Sequence, residues 1–201
     1  MHRLRTVFFD GSRVSGTQWC RAREEHIMSD DYSTNVDIDG DGHYDHVDYT
    51  ENSDGSVTIT GDANHDGKVD FVAHDYNHDG IVDDAKYDTN HDGTYDQYWK
   101  DTNGDGYLDR VSGDGNQDGH TDYKGEDANE DGKIDHVTSD TNYDGKYDTY
   151  QQDTNYDGKF DYTQHDTNED GKVDTVNYDS NHDGHYDTTY TPEGNVPLHN
   201  V

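Results

Sequence analysis

The sequence predicts an all-β protein, and three observations carry that prediction. Glycine returns every thirteen residues from Gly67 to Gly184, so no helix of useful length fits between one break and the next. Each of these glycines closes an Asp-x-Asn-x-Asp run, a composition that bends the backbone rather than extending it. The residues that follow are rich in Val, Ile, Tyr and Phe, the side chains that favour strands. The architecture expected is a tandem array of loop-plus-short-strand repeats.

Taken in order, residues 1–27 stand apart: they hold five arginines, the single cysteine Cys20 and no repeat. Their longest apolar run is Val7-Phe8-Phe9, shorter than the apolar core of a secretory signal. They read as a poorly ordered basic arm, with Met28 as an alternative start. The repeat domain is expected over 28–187. Residues 188–201, with Pro192 and Pro197, read as a cap or tail, since repeat bodies need closed ends.

The repeating phrase is DxNxDGxxD, with carboxylates at places one, five and nine, an amide oxygen at place three and glycine at place six. A hard cation that takes six to eight oxygens needs the chain curled round it, with alternate side chains turned inward and a sharp turn after the third of them. Calcium fits this spacing better than magnesium, which demands a tight octahedron and holds its waters. An ordinary turn needs glycine and one Asp or Asn. It does not need another carboxylate three residues after the glycine.

Eleven copies carry the full set. The earliest uses Asp37, Asp39, Asp41 and Asp45, with aspartate at place three. Ten more follow in strict phase. The first five are Asp62, Asn64, Asp66 and Asp70; Asp75, Asn77, Asp79 and Asp83; Asp88, Asn90, Asp92 and Asp96; Asp101, Asn103, Asp105 and Asp109; and Asp114, Asn116, Asp118 and Asp122. The remaining five are Asp127, Asn129, Asp131 and Asp135; Asp140, Asn142, Asp144 and Asp148; Asp153, Asn155, Asp157 and Asp161; Asp166, Asn168, Asp170 and Asp174; and Asp179, Asn181, Asp183 and Asp187. A twelfth copy, Thr50 to Thr58, has lost its first and last carboxylates, and its segment SDGSVTIT reads as a plain hairpin turn and strand.

Place eight is apolar in nearly every copy (Tyr44, Val69, Val82, Tyr95, Leu108, Ile134, Tyr147, Phe160, Val173, Tyr186), and place eleven is a second row (Val47, Val72, Tyr98, Val111, Val137, Tyr150, Val176). Places eight to twelve therefore predict the strand, with place eight facing a core and place nine turned to an ion. Two repeats per coil make an elongated β-solenoid or β-roll, which buries the place-eight rows against each other. An antiparallel β-meander, with a loop at every hairpin, is the alternative.

Composition points the same way. A chain with 26% hydrophobic residues and a net charge of −33 lies where sequences stay disordered, so the metal-free chain is expected to be largely unfolded. Eleven divalent ions would bring −33 to −11, a charge that a compact body tolerates. The acidity disfavours nucleic acid, and no apolar stretch approaches the ~20 residues of a membrane span. One cysteine leaves no internal disulfide framework. Catalysis has no singular constellation to rest on, because the carboxylates recur in equivalent copies. The histidines at place four (His65, His78, His91, His182) read as a solvated loop face with side chains pointing away from the ion.

The phrases DIDGDGHYDHV, DANHDGKVDFV and DTNGDGYLDRV resemble the calcium loops of FG-GAP and VCBS-type repeats of integrin-like proteins, in which places one, three, five, seven and nine bind the ion. That resemblance implies ligand roles for Asp62, Asn64, Asp66, the Lys68 carbonyl and Asp70, and for the matching residues of each full copy. It covers the loop and the strand after it. Propeller repeats are several times longer than thirteen residues. Thrombospondin type 3 repeats are similar in their dense calcium loops, but carry a further aspartate at place twelve and cysteines that this chain lacks. The EF-hand loop closes with an acid at place twelve, where this chain has Ala73, Lys86, Trp99 or Gln151. Calcium repeats of secreted toxins share the logic with another glycine-rich consensus.

The expectation for function is a non-enzymatic calcium-binding repeat protein, folded and made rigid by about eleven calcium ions. Asparagine at place three lowers the charge of each site and points to roughly 0.1–1 mM affinity, the extracellular range. The role expected is structural, at a cell surface, in a matrix or in an appendage, with self-association into filaments. A calcium-dependent adhesion module holding a glycan or protein, and a calcium store or sensor, are the alternatives.

Overall fold

The computed structural model describes Ile38, residues 45–193 and residues 196–199. The basic arm, Met28, Asp37, Asp39, Asp41 and Tyr44 lie outside the described residues.

Among the described residues there are twelve strands and no helix. They are β1 (Val47–Glu51), β2 (Val57–Gly61), β3 (Phe71–Asp75), β4 (Asp84–Tyr87), β5 (Gln97–Lys100) and β6 (Arg110–Gly113). The second half has β7 (Tyr123–Glu126), β8 (His136–Ser139), β9 (Thr149–Gln152), β10 (Tyr162–His165), β11 (Thr175–Tyr178) and β12 (Thr188–Tyr190). The chain divides into two units, one ending at Arg110 and the other running on from Val111.

In the first unit each strand from β1 to β5 pairs antiparallel with the next, and in the second the same holds from β7 to β12. This is the pairing of a meander. A solenoid coil would bring strands of successive turns side by side in parallel, and that expectation is not confirmed.

The strands start later than the sequence predicts. They occupy places ten to thirteen, as in Phe71 to His74 of the copy that starts at Asp62. Places seven to nine are still loop, because their backbone donors are taken up closing it: the place-nine amide of Asp70 bonds back to the Gly61 carbonyl at 2.8 Å. Place eight is therefore not the core row. Val69, Tyr95 and Tyr186 are exposed there, while Leu108 and Val173 are buried.

An odd repeat in an antiparallel sheet has a further effect. Phe71 lies opposite Tyr87 and Val72 opposite Lys86, so place ten meets place thirteen and place eleven meets place twelve. Each face then draws on places ten and twelve of one strand and eleven and thirteen of the next. In the first unit one face carries Val57, Ile59, Phe71, Ala73, Ala85, Tyr87 and Trp99, all buried, with the Phe71 and Tyr87 rings 4.9 Å apart. Val72 and Tyr98 fall on the opposite face.

In the second unit Val137 stands opposite Gly125, while Thr138, Tyr150, Gln164 and Val176 form a buried line on the other face. Residues 196–199 lie on that line. The Val173 amide donates to the Val196 carbonyl at 2.9 Å, the His199 ring sits 5.2 Å from Tyr150, and the His199 amide donates to Gln164 Oε1 at 3.2 Å. Counting thirteen from Asp179 reaches Pro192, which has no amide hydrogen to continue the repeat.

The decayed copy behaves as a hairpin. β1 and β2 pair through Asn52, whose amide bonds the Ser56 carbonyl at 2.8 Å, with Gly55 at φ +88°.

Candidate metal-binding loops

The loop Asp88 to Asp96 shows how the phrase folds. The place-one carboxylate of Asp88 accepts the Asp92 amide at 3.1 Å on Oδ1 and the Gly93 amide at 2.7 Å on Oδ2. Asn90 Oδ1 accepts the same Asp92 amide at 3.0 Å, and Asp92 Oδ1 accepts the Thr94 amide at 2.9 Å. From the other end, Asp96 Oδ2 accepts the Thr89 amide at 3.1 Å. All four side chains of the phrase are thus turned onto the backbone of their own loop, with the oxygens of places one and three sharing one donor. Each carboxylate retains unused lone pairs beside these bonds.

The other full copies within the described residues repeat this frame, as in Asp62 to Asp70, where Gly67 donates to Asp62 at 2.7 Å and Ala63 to Asp70 at 3.0 Å. Among the described residues, the side chains singled out from the sequence bond the backbone of their own loops. Of the four candidate ligands of the earliest copy only Asp45 is described, and its Oδ2 accepts the Ile38 amide at 2.7 Å.

Two backbone positions make the curl. Place six takes φ +98° at Gly93, and a Cβ there would meet nothing within 4 Å, so the dihedral alone demands glycine. Place four also lies in the left-handed region, and there the chain uses nine non-glycine residues with φ between 56° and 63°: His65, His78, His91, Gln117, Glu130, Tyr143, Tyr156, Glu169 and His182. Each such residue costs roughly 1–2 kcal/mol, which the hydrogen bonds of the loop offset. The sequence signal for this was present. No β-branched residue stands at place four, and glycine takes it in two copies, as Gly40 and Gly104.

Neighbouring loops on one margin of a sheet touch. The Asp88 amide donates to the Asp70 carbonyl at 2.8 Å, and the Asp140, Asp153, Asp166 and Asp179 amides repeat the bond with Asp122, Asp135, Asp148 and Asp161. A place-nine aspartate therefore stands beside the place-one aspartate of the loop two copies on. Most of both sets are buried. Burial pushes the Asp127 carboxyl up to about 6, with the Asp135 and Asp131 charges adding to the effect. Burial likewise raises Asp83, Asp96 and Asp135. These are crowded anions with few cations near them, and 14 Lys and Arg face 47 Asp and Glu in the whole chain.

Two of the place-four histidines are not simply a solvated face. His91 Nδ1 comes to 3.2 Å from Asp70 Oδ1, and His182 Nδ1 to 3.1 Å from Asp161 Oδ2, each meeting the place-nine carboxylate of the neighbouring loop. Left-handed φ at place four swings the side chain along the margin. His65 instead caps its own loop at the Asp62 carbonyl, 2.9 Å away. Lysines at place seven also reach across: Lys133 donates to the Asp157 carbonyl at 2.7 Å, and Lys146 pairs with Glu169 at 3.0 Å.

Place two was not singled out from the sequence. Its hydroxyl donates to the place-nine carboxylate at 2.8 Å in Thr89–Asp96, Thr141–Asp148, Thr154–Asp161 and Ser180–Asp187, and at 2.7 Å in Thr102–Asp109 and Thr167–Asp174. The other copies have Ile38, Ala63, Tyr76, Gly115 or Ala128 there; backbone amides of places two and three hold Asp70 and Asp122, the Tyr76 amide holds Asp83, and the Asn129 side chain adds a bond to Asp135 Oδ1 at 3.3 Å.

The donor set suits a hard divalent cation: three carboxylates, one amide oxygen and a backbone carbonyl on one curled loop. The oxygens are not drawn in as a closed cage. Among the described residues no three His, Cys, Asp or Glu side chains come together as a metal-holding group, and each carboxylate rests on a backbone amide instead. Among them, too, no helix is long and apolar enough to cross a membrane. No protein-family model matches the chain, and neither a curated protein nor a solved structure matches it.

Proposed function

We propose that the chain is a calcium-binding repeat protein, folded and made rigid by about eleven calcium ions, that serves as a structural component of a cell surface, a matrix or an appendage. One observation carries the reading: every full copy within the described residues turns its place-one, place-five and place-nine carboxylates and its place-three amide onto the same curled backbone, as Asp88, Asn90, Asp92 and Asp96 do. Small rotations of side chains already on the inner wall of the loop would present these oxygens to one ion. The buried anions along each margin supply the driving force, since a divalent cation relieves repulsion that the few lysines and arginines do not.

The architecture that fits this role is the antiparallel meander. Its hairpins place loops at both ends of the strands, and two residues of each loop continue the ladder. Filling a loop therefore fixes strand pairing directly. An enzyme is not proposed, because the carboxylates are spent on equivalent loops.

The test is a calcium titration of the full chain, followed by circular dichroism and calorimetry, with magnesium as a control. Uptake of about eleven ions at roughly 0.1–1 mM with a gain of β signal supports the reading. Micromolar uptake would move the protein to a calcium store or sensor. Absence of uptake with an unchanged spectrum would overturn calcium binding altogether.

A further inference from the structure

Six place-nine aspartates take a hydroxyl bond from place two and are held at both oxygens, in Asp174 and Asp187 with the help of the Asn168 and Asn181 side chains; Asp135 is held at both oxygens by Asn129 and the Ala128 amide alone. Asp96 is fixed by the Thr89 amide on Oδ2 at 3.1 Å and by the Thr89 hydroxyl on Oδ1 at 2.8 Å, so one residue grips both carboxylate oxygens. Asp70 has the Ala63 and Asn64 amides on Oδ2, at 3.0 and 3.3 Å, and no hydroxyl from place two; among the described residues its Oδ1 faces only the His91 ring, 3.2 Å away on the neighbouring loop. A carboxylate held at one oxygen swings about its last torsion. One held at both does not. With about four lone-pair positions, the doubly held carboxylate still has room for an ion.

Resting on the calcium reading above, we propose that the place-two hydroxyl is a positioning residue that sorts the loops into two affinity classes, with the six Thr or Ser loops filling before the loops of Asp70, Asp83 and Asp122, whose carboxylates receive no hydroxyl from place two. A ligand already oriented loses less freedom when the ion arrives. Hydrogen-bond partners behind metal ligands are worth about 10–100-fold in affinity when they are removed. The hydroxyl occupies that place here, and it does so in six copies with distances between 2.7 and 2.9 Å.

The place-six glycine amide reports each loop separately, because it donates to the place-one carboxylate, as Gly93 does to Asp88 at 2.7 Å and Gly67 to Asp62 at 2.7 Å. The experiment is a titration of the full chain with calcium chloride, read from the nitrogen-15 resonances of these glycines. In the parent protein Gly93 is expected to reach its midpoint at a calcium concentration at least about tenfold below that of Gly67. Thr89→Val should raise the Gly93 midpoint by about tenfold or more and leave Gly184 in place, and Thr89→Ser should restore it. Ala63→Thr should lower the Gly67 midpoint by a similar factor, and it tests the idea even where Thr89→Val does not fold.

Equal midpoints for Gly93 and Gly67, or a Gly67 midpoint unmoved by Ala63→Thr, would overturn the two-class assignment while leaving calcium binding intact. Glycine resonances that never respond to calcium would overturn the calcium reading itself, and the assignment with it.

Discussion

Residue by residue, this chain spends conformational energy on its loops and recovers it through side chains that bond their own backbone. Gly93, at φ +98° with open space around its α-carbon, isolates one part of that cost. Gly93→Ala introduces no clash, only an unfavourable dihedral. It should destabilise the first unit by roughly 1–2 kcal/mol, seen as a lower urea midpoint with unchanged slope. An unchanged midpoint would mean that the loop relaxes out of the left-handed region. At the same scale, the hydrogen-bonded frame of the loop could be read from the sequence because all its partners lie within nine residues of one another. The left-handed place four and the place-two hydroxyl carried weaker signals, a missing residue class and a recurring Thr, which acquire meaning only when the loop is seen curled.

The strands are four residues long in most copies, and their pairing is where the sequence reading needed correction. The apolar rows at places eight and eleven suggested a single inward face. An odd repeat folded back on itself sends place eleven to alternate faces, as Val137 and Tyr150 show. Close approach then depends on small residues: a Cβ on Gly113 would run into the Tyr123 ring, and one on Gly125 would come within 3.0 Å of both Ile134 and Val111. Gly113→Ala is expected to cost about 1–3 kcal/mol by overpacking. Adding Tyr123→Ala should recover part of that loss, because the ring that collides is gone. Additive losses in the double variant, measured by urea unfolding, would show that the glycine acts through its backbone instead.

The whole molecule is governed by its charge. With a net charge of −33, self-repulsion works against the compact state. On the calcium reading, chelator should abolish the β signal at about 0.01 M salt, where the screening length is roughly 30 Å. Raising salt to about 1 M, where it falls to roughly 3 Å, should restore part of it, and circular dichroism across that series checks the point. A β signal indifferent to chelator at low salt would show that the aromatic and aliphatic face around Phe71, Tyr87 and Trp99 holds the first unit by itself.

The sequence by itself determined the all-β class, the thirteen-residue step and the carboxylate and amide oxygens that accept from each loop's own backbone, because these depend on contacts within a few residues. It also marked the decayed copy as a hairpin, through Asn52 and Gly55. The tertiary structure decided which strands pair, which face each apolar residue joins and which loops touch. Those are non-local matters: a side chain's face is set by the register of a neighbouring strand, and His91 meets Asp70 only because their loops share a margin.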